Sequence, residues 1–455
     1  MIGSAELARH GKAPALIDDE TGIWLDYRGL ADAVAATAAR IAALPVRPLA
    51  FLFAGTTISG AVDYLGAVEG GAAVGLFGNS LPPGRADALI AAYRPHLVLG
   101  HRPVEGYRES HPGWHRRIAD DGPDLHPELA LLLSTSGSTG SPRLVRLTRR
   151  ALASNAAAIV EALGIAPDQR SVLNLPFAYS YGLSVLNSHL AAGASVLLTR
   201  YGLTGSGFWQ RLATERVTSM PGVPMVYEML HRLGFETVAP PSLVTLTQAG
   251  GKLSEPLVQH FHGAIQARGG RFFVMYGATE AAPRMAVLPP ADLPAKLGAA
   301  GRVLAGGRFE IDGEEVVYRG PNVMLGYAEG PDDLAKGDEL GGRLATGDLG
   351  RLDTDGVLWI TGRAKRIAKI NGMRLNLDEV EALALARLGP TAAIATGDRL
   401  ILLTEATEPQ AAEIRRTLAT ALALPPASLR VQCVTRLPLS ANGKIDRDAA
   451  RKLVA

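Results

Sequence analysis

One cysteine, Cys433, stands among 455 residues, so no disulfide can form within the chain. A reducing cytoplasm is the expected compartment. Cys433 falls in the β-type run Val431-Gln432-Cys433-Val434 and reads as a buried structural thiol. Excess charge is missing too. Against 46 basic residues stand 44 acidic ones, and the net charge of +2 gives no reason to expect nucleic acid or an anionic membrane as partner. No long apolar run is uninterrupted. The most apolar region, residues 49–77, carries Asp63 and Glu69 and is dense in glycine, which fits strand–helix–strand and not a membrane span. The N-terminus has Glu6, Arg9 and Lys12 and no apolar h-region, so no secretory signal is expected. Internal repeats are lacking, as are the G-K-[ST] triplet of the common P-loop and the G-x-G-x-x-G fingerprint of nicotinamide-binding folds. With 47% hydrophobic and 20% charged residues, the chain has the composition of a globular protein with ample core.

What is present is a run of small and hydroxyl residues, Ser134-Thr135-Ser136-Gly137-Ser138-Thr139-Gly140-Ser141-Pro142-Arg143, directly after the apolar residues Leu129 to Leu133. The apolar residues read as a buried strand. Glycines allow close approach of backbone to a ligand, and successive N–H groups can form an anion-binding nest. Hydroxyls add donors and Arg143 adds positive charge, so the combination predicts a phosphate cradle. A flexible Gly/Ser connection has the same composition. What separates the two is the rest of the chain: Tyr276-Gly277-Ala278-Thr279-Glu280, Thr346-Gly347-Asp348 and Asn442-Gly443-Lys444-Ile445-Asp446-Arg447 follow in order.

Around these motifs the pattern alternates. Ala15 to Asp19, Leu49 to Phe53, Ala72 to Phe77 and Leu97 to Leu99 read as strands, and Asp26 can cap a helix with Leu30, Val34, Ile41 and Leu44 on one face. After the cradle, Arg149 to Leu163 reads as a helix stopped near Gly164. Ser171 to Leu175, Ser195 to Thr199, Ser242 to Gln248 and Phe272 to Met275 read as strands. Such alternation marks layered α/β sheets, whose ligands bind at the carboxyl ends of strands. From Gly301 short β-type runs (Glu314 to Tyr318, Val357 to Thr361) suggest a small β subdomain. Beyond Gly362 come a helix from Asn376 to Leu388, strands at Thr391 to Ala395 and Leu400 to Leu403, and a helix from Glu408 to Leu422, an α+β unit of domain size.

The ordered motifs resemble those of the adenylate-forming superfamily: acyl- and aryl-CoA ligases, adenylation domains of peptide synthetases and firefly-type luciferases. The resemblance covers nearly the whole chain. It implies a large N-terminal domain, residues 1–362, followed by a small mobile lid, residues 363–455, with a hinge at Lys365. It also implies an ATP- and Mg²⁺-dependent enzyme that joins a carboxylic acid to AMP, releases pyrophosphate and passes the acyl group to a thiol. Thr135, Ser136, Gly137, Ser138, Thr139, Gly140 and Arg143 are then expected at the β- and γ-phosphates; the family usually has Lys at the position of Arg143. Tyr276 and Gly277 are expected beside adenine, Thr279 at the α-phosphate and Glu280 on Mg²⁺. Gly250 and Gly251 match a segment lining the adenine and acyl pockets, and a plain glycine turn reads equally well. Asp348 and Arg363 match the ribose-binding pair. Lys444 matches the catalytic lysine of the lid. After adenylation, rotation about Lys365 is expected to present the loop from Lys369 to Arg374, including Gly372, to the adenylate.

The segment Pro176-Phe177-Ala178-Tyr179-Ser180-Tyr181-Gly182 is similar to the family's P-x-x-H-x-x-G motif, with Tyr179 in place of His. Tyr179 reads as substrate gate or core wall alike. The acyl pocket is expected to include Tyr179, Tyr181, Val223, Gln248, Met275, Ala278 and Met285. Amino-acid-activating relatives carry an Asp near this segment, and none lies between Pro176 and Ala194. A buried ammonium needs a paired carboxylate, so an acid without an α-amine is expected. Arg284 has two readings, a contact to a second substrate anion or a structural salt bridge. The acceptor is CoA or the phosphopantetheine of a carrier protein in trans, since no carrier attachment segment follows Lys444. Luciferase-like oxygenation of the adenylate and a non-catalytic nucleotide- or acyl-binding role are the alternatives.

Overall fold

Local chemistry starts and stops the elements where the sequence indicates. The Asp26 carboxylate accepts the Gly29 N–H at 2.7 Å and opens the helix Tyr27–Ala42, whose buried face includes Leu30, Val34 and Ile41. Thr148 caps the helix Arg149–Leu163 through Ala151 N at 2.9 Å, and the helix closes on Gly164. The computed structural model describes all residues except 1–2, 120, 135–142, 371–372, 398, 423, 441–444 and 455. Thr135, Ser136, Gly137, Ser138, Thr139, Gly140, Gly372 and Lys444 therefore lie outside the described residues.

The apolar region 49–77 is the strand–helix–strand expected: Leu49–Ala54, Ile58–Glu69 and Ala73–Gly78, the strands paired in parallel with Leu49 opposite Ala73. All six residues Leu49–Ala54 are buried. That follows from their central place in an eight-stranded sheet ordered Gly326–Ala328, Leu144–Thr148, Leu129–Ser134, Ala73–Gly78, Leu49–Ala54, Leu97–Leu99, Trp114–Arg117, Tyr107–His111. A second, nine-stranded sheet is ordered Arg302–Val303, Arg284–Leu288, Arg271–Gly277, Thr245–Gln248, Ser219–Gly222, Arg170–Leu173, Ser195–Leu198, Pro14–Asp18, Trp24–Asp26. Its interior pairs are parallel and its edges antiparallel. The strand Arg271–Gly277 carries the Tyr276 motif at its carboxyl end, as expected of a ligand-binding loop in such a sheet.

Contact density divides the chain into two units. Of the described residues, the first comprises those within 3–134, 143–309 and 318–344; the second comprises those within 310–317 and 345–454. Residue 362 thus falls inside the second unit, at the end of the strand Leu358–Arg363. That strand belongs to a four-stranded sheet with Arg308–Asp312, Glu315–Arg319 and Arg343–Leu352. It runs directly into the single 3-10 turn Ala364–Arg366. Arg366 is buried there, bonded to Asp378 at 2.9 Å, to Ala393 O at 2.9 Å, and to Glu381. The rest of the second unit contains the hairpin Ile367–Ile370 and Met373–Asn376, the helices Leu377–Leu388 and Glu408–Ala421, and a three-stranded sheet of Thr391–Thr396, Arg399–Thr404 and Leu429–Cys433. Its core gathers Ile370, Val380, Ala384, Leu400, Leu402 and Leu418. Cys433 is half-buried and not buried as expected, because its strand is the edge paired only with Arg399–Thr404. Partial burial and Glu408 push its thiol above the ordinary value, which opposes thiolate chemistry. Among the described residues, no helix is long and apolar enough to cross a membrane.

Candidate active site

The Tyr276 motif turns sharply. After Gly277 the chain passes through the 3-10 turn Thr279–Ala281 and returns as the strand Arg284–Leu288, and Ala278 N bonds Pro283 O at 2.9 Å. A Cβ on Gly277 would sit 2.0 Å from Pro283 O, so the motif's glycine is required by the close approach of two backbones. Thr279 and Glu280 are both half-buried. The Thr279 hydroxyl lies 3.0 Å from the Ser180 hydroxyl, and Tyr327 Oη donates to Glu280 Oε1 at 2.7 Å. Met324 N donates to Glu280 O at 2.9 Å. Asn322 Nδ2 donates to Ala281 O at 2.6 Å and to Arg284 O at 3.1 Å, while its Oδ1 accepts from Tyr318 Oη at 2.7 Å. Asn155 adds two bonds to the Arg284 backbone, at 2.7 and 3.2 Å. The segment 322–327 therefore wraps the motif and fixes its carboxylate.

Strand register explains how Arg143 joins this group. The edge strand Gly326–Ala328 pairs antiparallel with Leu144–Thr148, Ala328 facing Leu144, which sets Glu329 opposite Arg143 and Tyr327 on the diagonal. Arg143 Nε binds Glu329 Oε1 at 2.8 Å and its guanidinium carbon lies 4.4 Å from the centre of the Tyr327 ring. Burial and the neighbouring Glu280 carboxylate push the Tyr327 phenol well above its ordinary value, so it remains a neutral donor. Tyr276 is half-buried with its ring 6.4 Å from Phe309.

The expected pocket walls form from four elements. Gln248 is buried, its amide donating to Gly251 O at 2.7 Å, and this closes the turn that carries Gly250. Gly250 has φ +83°, and a Cβ there would meet Tyr179 Oη at 2.6 Å and Val223 at 3.1 Å, so Tyr179, Val223 and Gly250 converge. Gly251 would bring a Cβ within 3.1 Å of Pro224. Tyr181 is buried, donates to Thr247 O at 2.8 Å, and burial pushes its phenol up to about 12. Tyr181 and Met275 also line an internal cavity bounded by the helix Ser180–Ala191 and the nine-stranded sheet. Ala278 is half-buried; Met285 is fully buried and is not among the cavity's walls. Arg284 lines the cavity and, among the described residues, forms no salt bridge, so the structural-pair reading of this residue fails.

In the second unit, Asp348 and Arg363 are cross-strand partners, joined from Arg363 Nε to Asp348 Oδ1 at 2.9 Å. Asp348 N donates to Thr346 Oγ1 at 3.1 Å, and Gly347 N donates to Glu315 Oε1 at 2.8 Å, so the Thr-Gly-Asp turn is held from both sides. Lys365 occupies the turn Ala364–Arg366, and Lys369 the strand Ile367–Ile370 with Arg374 opposite.

Sequence reasoning missed Tyr327, Asn322, Asn155 and Ser180. The first three lie far from the motif in the chain, and only Ser180 sat inside a segment already singled out.

A family model described as "AMP-binding enzyme" matches residues 4–328. Over 360 residues the chain is 29% identical to indoleacetate–CoA ligase of Aromatoleum aromaticum, spanning 73% of this chain and 69% of the relative. Oxalate–CoA ligase of Arabidopsis thaliana is likewise 29% identical over 360 residues, 72% of this chain and 69% of the relative. Among solved structures, o-succinylbenzoate CoA synthetase from Bacillus subtilis in complex with its acyl-adenylate intermediate superposes with a TM-score of 0.80 at 21% identity, covering 98% of this chain and 97% of that one.

Proposed function

The chain belongs to the AMP-binding enzyme family, and from that premise we propose that it is an AMP-forming acid–thiol ligase. It activates a carboxylic acid with ATP and transfers the acyl group to CoA. The observation that carries this reading is the Thr279–Glu280 turn at a strand's carboxyl end, with Glu280 oriented by Tyr327 at 2.7 Å.

Adenylation joins two anions. A carboxylate oxygen attacks the α-phosphorus of ATP, the bond to the bridging oxygen breaks, and pyrophosphate leaves. Positioning and charge neutralisation supply most of the catalysis. Among the described residues no group of three or more acidic, His or Cys side chains could enclose a metal. A lone oriented carboxylate is what Mg²⁺ requires when phosphates complete its shell, so Glu280 fits this ion and not a protein-caged one. Bound there, Mg²⁺ neutralises phosphate charge. The chain's own groups do the rest in this reading. Thr279 donates to the α-phosphate, with Ser180 fixing its hydroxyl. Tyr276 packs on adenine. Thr135 to Gly140 and Arg143 take the β- and γ-phosphates, Arg143 exchanging Glu329 for phosphate oxygens. Asp348 and Arg363 take the ribose. Lys444 bridges the acid and the α-phosphate and leaves with the lid, residues 363–455, by rotation at Lys365, when the loop from Lys369 to Arg374, including Gly372, serves the thiol step. The 362/363 boundary is a hinge in this reading, a point of rotation and not of low contact density.

The acid lacks an α-amine: Arg284, a buried cation close to Tyr179 and Tyr181, opposes an ammonium group. A carrier-protein phosphopantetheine is the second acceptor to test, and the cytoplasm is the compartment that a single free cysteine suits. The retained Thr279, Glu280, Asp348 and Arg363 favour catalysis over passive nucleotide binding. The test is acid-dependent exchange of labelled pyrophosphate into ATP across a panel of aryl and aliphatic acids. Exchange with a subset of acids is expected; silence with all of them would end the acid-activation reading.

A further inference from the structure

Arg284 is almost fully enclosed, 3% exposed, yet only part of its guanidinium is satisfied. Nη2 donates to Ser184 Oγ at 3.1 Å, and the guanidinium carbon lies 4.4 Å from the centre of the Tyr181 ring. Nε has no partner. Arginine offers five donors in a planar fork and stays charged in proteins. Its backbone is pinned by Asn155 and Asn322, so the side chain enters the cavity from a fixed point.

The cavity offers that charge no counter-ion. Its described walls include Ser184, Ser188, Thr247 and Met275 but no carboxylate. His189 is the one other titratable base. Its Nδ1 is 2.8 Å from Val185 O, its Nε2 is 3.3 Å from Ser219 Oγ, and burial pushes its pKa down to about 4, so it is neutral. An unpaired buried cation carries a desolvation penalty of several kcal/mol, on the order of what pairing returns. A hydroxyl and one ring face return only part of it. The cavity is small, with room beside Arg284 for about one or two water-sized groups, the size of the oxygens of a compact anion. Tyr181 and Met275 are shared between this cavity and the expected acyl pocket.

We propose that Arg284 is the receptor for a second anionic group on the acid substrate: the acid is activated at one carboxylate and held by Arg284 at the other end. The ligand class is a dicarboxylate, or a carboxylate bearing another compact anion. The inference rests on the acid-activation reading, and the test separates the two.

Pyrophosphate exchange and calorimetric binding are measured with α,ω-dicarboxylates from malonate to suberate and with the benzenedicarboxylates, each against its monomethyl ester. In the wild type, diacids are expected to exceed their esters by at least about 100-fold in kcat/KM, because a site built around a buried polar group rejects the analogue that leaves it unpaired. In Arg284→Met the diacid-to-ester ratio should fall to about one, and in Arg284→Lys it should be partly retained, since the charge stays and the fork is lost. Equal use of esters and diacids by the wild type overturns the proposal, as does an unmoved ratio in Arg284→Met. If Arg284→Met does not fold, the wild-type comparison still decides. Silence in exchange with every acid would end the acid-activation reading alone. Diacid binding by calorimetry, tighter than ester binding, would then still support the anion site, and its absence would end that too.

Discussion

Replacing Tyr327 by Phe removes one oxygen and leaves the ring on which Arg143 rests. The lost group is the donor to Glu280 Oε1 at 2.7 Å, and the remaining ring keeps the 4.4 Å contact to Arg143. A hydrogen bond to a charged group is worth about 1.5–3 kcal/mol, which converts to a loss of roughly 10- to 100-fold if the bond orients Glu280 in the transition state. The phenol is held far above its ordinary value by burial and by Glu280, so the loss should not vary with pH across the usual assay range. Pyrophosphate exchange at a series of Mg²⁺ concentrations is the assay. Tyr327→Phe should need more Mg²⁺ for half-maximal rate, while its melting temperature stays near that of the wild type because Tyr327 is only half-buried. Tyr327→Leu, which also removes the support for Arg143, should lose more and should raise KM for ATP. Exchange by Tyr327→Phe that matches the wild type at every Mg²⁺ concentration would refute the orienting role.

Asn322→Ala leaves Tyr318 Oη and Ala281 O without their partner in buried surroundings, and should destabilise the protein by roughly 2–4 kcal/mol in urea unfolding; an unchanged midpoint would contradict the bonds described. Lys444→Ala should nearly abolish adenylate formation yet spare thioester formation from supplied acyl-AMP, and equal loss in both half-reactions would remove the lid assignment. Asp63 gives a pH signature. Burial raises its carboxyl from 3.8 to about 6, against smaller opposing effects of Trp114 and Arg40. A raised carboxyl favours the folded state while protonated; that advantage is full below 3.8 and is lost as pH rises through about 6. Asp63→Asn should therefore gain stability relative to the wild type over this window, by about 3 kcal/mol at most. A pH-independent difference in unfolding free energy would count against it.

Legibility followed contrast in the sequence. The helix Arg149–Leu163 and the strands of the parallel sheets were readable because caps and continuous apolar runs mark them. The strands Tyr107–His111 and Trp114–Arg117 were not, since an edge hairpin with an exposed outer strand has no apolar run to announce it. The same holds for Gly326–Ala328, three residues whose pairing with Leu144–Thr148 is what sets Glu329 against Arg143.

The sequence by itself determined the layered α/β architecture, the placing of the Tyr276 motif at a strand end and the chemistry of its Thr and Glu, because these depend on composition and spacing over a few residues. Only the tertiary structure decided which groups hold that chemistry in place. Tyr327 reaches Glu280 across 47 residues, and Asn155 reaches Arg284 across 129. It also decided that Arg284 is a buried cation without an acidic neighbour among the described residues. A charge's partner is set by what the fold brings within a few ångströms, and no local pattern in the chain carries that information.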